Sequence, residues 1–203
     1  MSPVIRPYRA SDRAAVDDVC VRTGDAGRDA TGLFTPDTLL PDIFAGPYLA
    51  LEPDLAFVVD DGTRAVGYVL GTADTARWAA AHRRTYLPTV ADRYPRADPP
   101  VTPRDHLVDL LHHPERNVHP GLAAHPAHLH IDLLPTVQGH GWGRRLVRTF
   151  LGALREREVA AFHLGMTPSN VGARAFYDRL GLTELPVDVP GVVYLGGPTD
   201  LAV

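Results

Sequence analysis

The stretch "LLPTVQGHGWGRRL", residues 133–146, places Gly139, Gly141 and Gly143 at every second position where an apolar run gives way to a helical one. Arg144 and Arg145 follow in the first helical turn. A helix N-terminus carries about four unpaired N–H groups and the positive end of the helix dipole, so a loop without side chains there lets an anion approach. The chemistry this predicts is a pyrophosphate cradle to which the two arginines add charge. Two nucleotide-binding patterns fail on specific residues. The spacing is G-x-G-x-G rather than G-x-G-x-x-G, and the next strand ends near Gly165 and Met166 with no acidic residue. A Walker loop requires a lysine, and all 20 basic residues are arginine, which also excludes a lysine Schiff base. In the absence of a ligand, the three glycines would serve only a close strand-to-helix turn.

A second group of reactive side chains lies just upstream. In "HLHIDLLP" (128–135), Leu129, Ile131 and Leu133 share one strand face, and His130, Asp132 and Leu134 share the other. An acid on a largely apolar strand is paired, exposed or placed at an active-site opening. The expectation for Asp132 is the opening, with His130 beside it as a proton relay; a structural hydrogen bond is the alternative. His112, His113, His119, His125, His128 and His130 are close in sequence, but their spacing matches no zinc pattern and no cysteine accompanies them, so no metal site is expected. The single cysteine, Cys20, falls among Val16, Val19 and Val21 and reads as a buried structural thiol.

Regular elements must position these groups. "VIRPYRA" (4–10) reads as a strand; a helix follows, with Ser11 as N-cap and Gly24 at its end. "TPDTLLPDIFAGPY" (35–48) reads as a helix entered at Thr35 and shortened or broken by Pro41. Two β-rich runs meet at Asp61-Gly62, a hairpin signal. After the 128–135 strand come a helix from about Gly141 to Glu158, a strand at 160–166, a helix at 170–182 stopped by Gly181, and two late strands near "LTELPV" and "GVVYLGG". Residues 75–127, with two Ala/Arg/His-rich helical stretches around "YPRADPPVTPRD", break this rhythm and read as a helical insertion in one domain spanning 1–203. The insertion either supplies substrate contacts or caps one sheet face. The order predicts a mixed α/β (α+β) fold.

The chain has 203 residues and an apolar content sufficient for a real core. A formal net charge of −4 without runs of like charge gives no basic face, so neither nucleic acid nor an anionic membrane is an expected partner. No stretch approaches the roughly 20 apolar residues of a membrane span, and the charged N-terminus is unlike a signal peptide, so a cytoplasmic protein is expected.

The motifs carry a family resemblance. "QGHGWG" (138–143) matches the R/Q-x-x-G-x-G/A signature of the GNAT acyltransferases, and "NVGARAFYDRLGL" (170–182) is similar to their Asn-x-x-Ala-x-x-x-Tyr pattern through Asn170, Ala173 and Tyr177. A weaker likeness, through "TGDAG", "AFVVDD" and "HLHIDLLP", links the chain to the acetyltransferase-like C-terminal domain of O-GlcNAcases and its stand-alone bacterial relatives. The GNAT resemblance implies a central, twisted, mostly antiparallel sheet flanked by helices, and acetyl-CoA as co-substrate. It places the pyrophosphate on Gln138, Gly139, His140, Gly141, Trp142, Gly143 and Arg144. The pantetheine would lie along Leu133 and Leu134, with Asn170, Ala173 and Phe176 nearby. It implies further that strands splay near Leu133, freeing its N–H for the acetyl oxygen, and that Tyr177 is the general acid, its phenol protonated at neutral pH. Asp132 and His130 are the candidate base. Asp25 and Asp29, in the loop "TGDAGRDATG" (23–32), could meet a cationic acceptor. The implied activity is N-acetyl transfer to a small-molecule or protein amine. The alternative is a module that binds acetyl-CoA, or a partner, without turnover.

Overall fold

The computed structural model describes residues 2–203. Seven strands form one sheet: β1 (Val4–Pro7), β2 (Phe57–Asp60), β3 (Ala65–Thr72), β4 (Ala127–Leu133), β5 (Ala161–Met166), β6 (Thr183–Glu184) and β7 (Val193–Pro198). Their order is β1-β2-β3-β4-β5-β7-β6, and every neighbouring pair is antiparallel except β4 and β5. This is the mixed, mostly antiparallel sheet expected. The β2–β3 hairpin turns where expected. Asp61 accepts from the backbone N–H groups of Thr63 (2.8 Å) and Arg64 (3.0 Å), and Gly62 takes a φ of 95° that favours glycine.

Among the described residues there are eight α-helices: α1 (Arg13–Thr23), α2 (Leu39–Phe44), α3 (Gly46–Leu51), α4 (Thr75–Ala81), α5 (Leu87–Val90), α6 (Pro103–His112), α7 (Trp142–Arg155) and α8 (Val171–Leu180). Helix α7 buries Leu146, Val147, Phe150, Leu151 and Leu154 in one stripe, as its apolar spacing demands. Each such side chain contributes about 1.5–3 kcal/mol. Phe150 in this stripe comes so close to β3 that a Cβ on Gly71 would lie 2.4 Å from its Cζ, so glycine there permits the approach. Because Gly71 pairs with Leu129, this is the face bearing Leu129, Ile131 and Leu133. The opposite face, with Tyr68, His130 and Asp132, meets α1 and its buried Cys20. Burial pushes the Cys20 thiol well above its ordinary range, in keeping with a structural role.

Three local expectations are corrected. Ser11 is not the N-cap of α1; a 3₁₀ turn over Ala10–Asp12 puts Asp12 there, and its carboxylate is bonded to Arg6 (2.6 Å) and the Arg9 N–H (2.8 Å). The 35–48 region is two short helices starting at Leu39. Pro41 sits harmlessly in the first turn of α2, and the break falls at Ala45, just ahead of Pro47. The long helix ends at Arg155 rather than Glu158.

The 75–127 segment does more than cap a sheet face. Helix α4 runs through a π turn (His82–Tyr86) into α5, and α6 starts from a capping box at Thr102 and Asp105. These helices build their own apolar cluster with Leu39 and Ile43 of α2, using Tyr86, Leu87, Val90, Tyr94, Val108 and Leu111. At its edge the buried Asp42 carboxylate accepts from the Tyr94 (2.7 Å) and Tyr86 (3.2 Å) hydroxyls and pairs with Arg93 (3.1 Å) and Arg13 (3.5 Å). Among the described residues, no helix is long and apolar enough to cross a membrane.

Candidate functional site

The sheet contains a built-in gap. Parallel strands β4 and β5 pair only at Ala127–Phe162 and His128–His163, then diverge. On its other edge β4 pairs continuously with β3, and beyond it the Leu134 N–H donates to the Val66 carbonyl (2.9 Å). Antiparallel residues alternate in the direction of their hydrogen-bonding groups. The N–H groups of Ile131 and Leu133 therefore point toward β5, past its last paired residue, and have no ladder partner. Leu133 thus lies at the gap with its N–H unpaired. The Leu134 N–H is taken by Val66 and its side chain is buried, so the strand end offers its free donor at Leu133 rather than at Leu134.

The glycine loop closes one end of this gap. The Gln138 amide donates through Nε2 to the Leu133 carbonyl (2.8 Å), tying the loop to the strand end, and His140 Nδ1 bonds the Gln138 carbonyl (2.6 Å). Gly139 and Gly141 adopt φ values of 75° and 80°, and Gly141 is the N-cap of α7 with no side-chain cap. A Cβ on either would meet nothing within 4 Å, so open space lies over both. Among the described residues, no acceptor in the protein engages the N–H groups from Gly139 to Arg144. These donors, at the positive end of a 14-residue helix, can hold an anion. Gly143 has a different reason. A Cβ there would sit 3.0 Å from Phe176 Cζ, so this glycine lets α8 pack on α7; it does not clear a path for an anion. Arg144 and Arg145 are exposed at the first turn, the former bonded to the Arg179 carbonyl (3.2 Å) and the latter stacked 4.7 Å over Trp142.

Helix α8 supplies the other wall. Asn170 is its N-cap, Oδ1 accepting from the Ala173 N–H at 3.0 Å, so its carbonyl oxygen is committed to the helix and only the amide nitrogen is left for the loop or a ligand. That end of α8 lies against Gly27, whose Cβ position is 3.7 Å from Asn170 Nδ2. Phe176 is half-buried against Gly143, and Tyr177 is buried. The Tyr177 hydroxyl makes no hydrogen bond to any described residue, yet it is not sealed from solvent. Burial, reinforced by the Asp132 charge, pushes its pKa well above the ordinary value. It is a protonated donor without a partner.

On the face toward α1, His130 and Asp132 lie side by side, and a third residue joins them. His130 Nε2 lies 3.4 Å from Asp132 Oδ2. Strand register sets Tyr68 directly opposite Asp132, and its hydroxyl donates to Oδ2 at 2.7 Å while lying 3.3 Å from His130 Nδ1. The Asp132 side chain retains 20% exposure. Its pKa is raised above the usual carboxylate range by burial, against the lowering effects of His130, Tyr68 and Thr23. Asp132 thus combines the two readings weighed for it: hydrogen-bonded, and still open to solvent. Tyr68 was not identified from the sequence, because only the β3–β4 register brings it there; Phe44, whose ring centroid is 5.7 Å from that of His130, was missed for a similar reason.

Other candidates lie apart. Asp25 is paired with Arg28 (2.9 Å), and Asp29 accepts from the Thr31 hydroxyl (2.6 Å) and N–H (2.9 Å), so the cationic-acceptor role is not supported by free carboxylates in that loop. His128 is buried between the Tyr48 hydroxyl (2.8 Å) and Thr75 (2.7 Å), and His163 bonds the His125 carbonyl (2.7 Å). Among the described residues, no three His, Cys, Asp or Glu side chains converge as a metal site.

Comparisons with known proteins bear on the family and the fold. Residues 105–182 match the sequence model described as the Acetyltransferase (GNAT) family. The whole chain superposes on the crystal structure of SsHAT with a TM-score of 0.94 and 57% identity, covering 98% of this chain and 99% of that one. Protein O-GlcNAcase of Rattus norvegicus is 26% identical over 185 residues, 89% of this chain and 20% of the relative; the chain spans about a fifth of the curated relatives it matches. The fold is shared with yncA from Salmonella typhimurium, solved with its cofactor acetyl-CoA, at a TM-score of 0.55 and 13% identity, covering 98% of this chain and 95% of that one.

Proposed function

This chain belongs to the GNAT acetyltransferase family, and from that premise we propose that it uses acetyl-CoA to acetylate an amine by direct transfer. The observation that carries the reading is the run of unengaged N–H groups from Gly139 to Arg144, set against the unpaired Leu133 N–H at the strand gap. The run fits a pyrophosphate, since the space over Gly139 and Gly141 is open and no acidic side chain lies in the loop. Acetyl-CoA supplies the acetyl group as an activated thioester.

Each remaining role falls to a group already placed. Gln138 holds the loop on Leu133, and the first-turn amides of Trp142, Gly143 and Arg144 bind the anion. Leu133 directs its N–H at the acetyl oxygen as an oxyanion donor. Phe176, with Ala173 one turn earlier, walls the gap. The His130–Asp132 pair takes the proton that the amine must lose, steadied by Tyr68. Tyr177 delivers its hydroxyl proton to the departing sulfur. In net terms a nitrogen–carbon bond forms as the carbon–sulfur bond breaks, one proton passing to the His130–Asp132 pair and one from Tyr177 to the thiolate. The acceptor is a small molecule or a protein amine, and residues 75–127, taken as an insertion into the family pattern, line its side of the site.

Calorimetric titration of acetyl-CoA, with CoA and NADH as controls, tests the first step. Micromolar binding is expected, lost in Gly141→Glu, which puts a negative charge and a side chain into the cradle. Failure of the wild-type protein to bind acetyl-CoA sinks the proposal. Binding without turnover on any amine leaves the non-catalytic module in its place.

A further inference from the structure

An apolar groove lies on the α1 side of the sheet, next to the proposed base. It has a volume of about 360 Å³ and is lined by Gly24, Phe34, Phe44, His106, Leu107 and Leu110 together with Leu40 and Pro103. None of these is an acid, an arginine or a lysine. That volume is at the small end of the roughly 300–1,000 Å³ of ligand pockets. Three of the six exposed large apolar side chains among the described residues belong to this region: Leu110 lines the groove, Leu33 precedes Phe34, and Val101 lies two residues before Pro103.

The groove is continuous with the reactive pair at two points. The Phe44 ring, part of its lining, packs against His130 at 5.7 Å between centroids. Gly24 follows Thr23, the residue whose hydroxyl is near enough to Asp132 to favour its charge. Gly24 is also a glycine by necessity, since a Cβ there would lie 2.5 Å from Leu40 Cδ1. A molecule whose amine reaches His130 and Asp132 therefore has its next several atoms over Phe44 and in the groove. Charged groups there would lose hydration with the His106 imidazole as the sole polar side chain to meet them, whereas apolar groups would be removed from water.

We propose that the acceptor is a primary amine carried on a short chain by an aromatic or branched aliphatic group, and that the Phe34–Phe44–Leu107–Leu110 groove holds that group. This rests on the acetyl-transfer reading for the fate of the amine. The groove also gives α6, within the 75–127 segment, a function: it supplies half of the specificity surface. Polyamines and hydroxylated amines are poor acceptors on this account, because the lining offers neither carboxylate nor hydroxyl and a single imidazole, His106, among apolar side chains.

The test uses 2-phenylethylamine, ethanolamine and spermidine with the full chain. In a thiol-release assay, kcat/KM for 2-phenylethylamine should exceed that for either other amine by about tenfold or more, the usual scale for filling an apolar pocket. Calorimetry on the CoA-saturated protein should show 2-phenylethylamine binding, weakened by about tenfold or more in Leu110→Glu, with acetyl-CoA affinity unchanged. Leu110 is exposed, so this variant should keep its fold. Equal or better use of ethanolamine or spermidine overturns the groove assignment while leaving acetyl transfer intact. So does the absence of 2-phenylethylamine binding to the CoA-saturated protein. Binding of 2-phenylethylamine without turnover of any of the three amines upholds the groove as a binding site and counts against the transfer reading.

Discussion

Removing one oxygen from Tyr177 separates chemistry from folding at this site. In Tyr177→Phe the ring stays packed beside Phe176, with ring centroids 5.2 Å apart in the wild type. The lost hydroxyl had no hydrogen-bond partner among the described residues, so no buried group is orphaned by its loss. Stability should therefore change by no more than about 0.5 kcal/mol, which for a chain of this size moves Tm by roughly 1–2 °C. The effect on catalysis should be large. A general acid contributes about 10²–10⁴-fold, or about 2.7–5.4 kcal/mol of barrier, so kcat/KM should fall at least about a hundredfold at unchanged acetyl-CoA affinity. Because burial and the Asp132 charge hold the phenol protonated, the wild-type rate should show no alkaline decline from this group below its ordinary value near pH 10. The assay is single-turnover release of CoA, followed with a thiol reagent. A thioester of a more acidic thiol should narrow the gap between variant and wild type, because its leaving group needs less protonation. A variant within about threefold of wild type would refute the general-acid assignment. A loss of several degrees in Tm would show that the hydroxyl has a structural role instead.

Two further perturbations probe the fold around the site. His82 is sealed with both ring nitrogens unpartnered, and burial lowers its pKa from 6.5 to about 4. It is neutral in the folded chain but binds a proton when unfolded, so stability should fall as pH drops from 6.5 toward 4, by up to about 3 kcal/mol from this group. His82→Phe should flatten that slope in urea melts at pH 7.5 and pH 4.5, and an unchanged slope would count against the assignment. Asp42→Asn removes the charge that gathers Arg13, Arg93, Tyr86 and Tyr94. The expected cost is about 2 kcal/mol, less than a fully buried pair because both arginines keep contact with solvent. Faster proteolytic cleavage between residues 94 and 102 should accompany it; cleavage at the wild-type rate would show that the apolar cluster alone holds the segment.

The parts of the site legible in the sequence are those in which one short stretch contains the whole signal. Gly139 and Gly141 precede a helix whose amides they leave open, and alternation along β4 placed His130 and Asp132 on one face. Tyr68 and Phe44 were invisible for the opposite reason. Tyr68 reaches Asp132 through the pairing register of β3 on β4, and a shift of one residue would have turned it to the other face. Phe44 depends on how α2 sits on the sheet, which no local pattern encodes. Ser11 loses the cap to a competing local cause: Asp12 is drawn into a 3₁₀ turn by Arg6 of β1. Gly143 shows the limit of composition as evidence, because three similarly spaced glycines turned out to answer two different constraints, two of backbone angle and one of helix contact.

The narrow seam between β4 and β5 also shapes how the molecule comes apart. Strands β1 to β4 form an antiparallel meander, β5, β7 and β6 form a second antiparallel group in that order, and the two are stitched directly by two residue pairs. Partial opening along that line breaks few backbone hydrogen bonds, which makes the halves natural cooperative units for sub-global unfolding. A ligand lying across the seam would act as a clasp, slowing amide exchange at Phe162, His163 and Leu129 while leaving the β2–β3 hairpin unaffected. Hydrogen exchange with and without acetyl-CoA would reveal the clasp, and uniform protection across the sheet would show that the two halves open as one. A protein built this way would gain stability from its ligand at the place where its own sheet is thinnest.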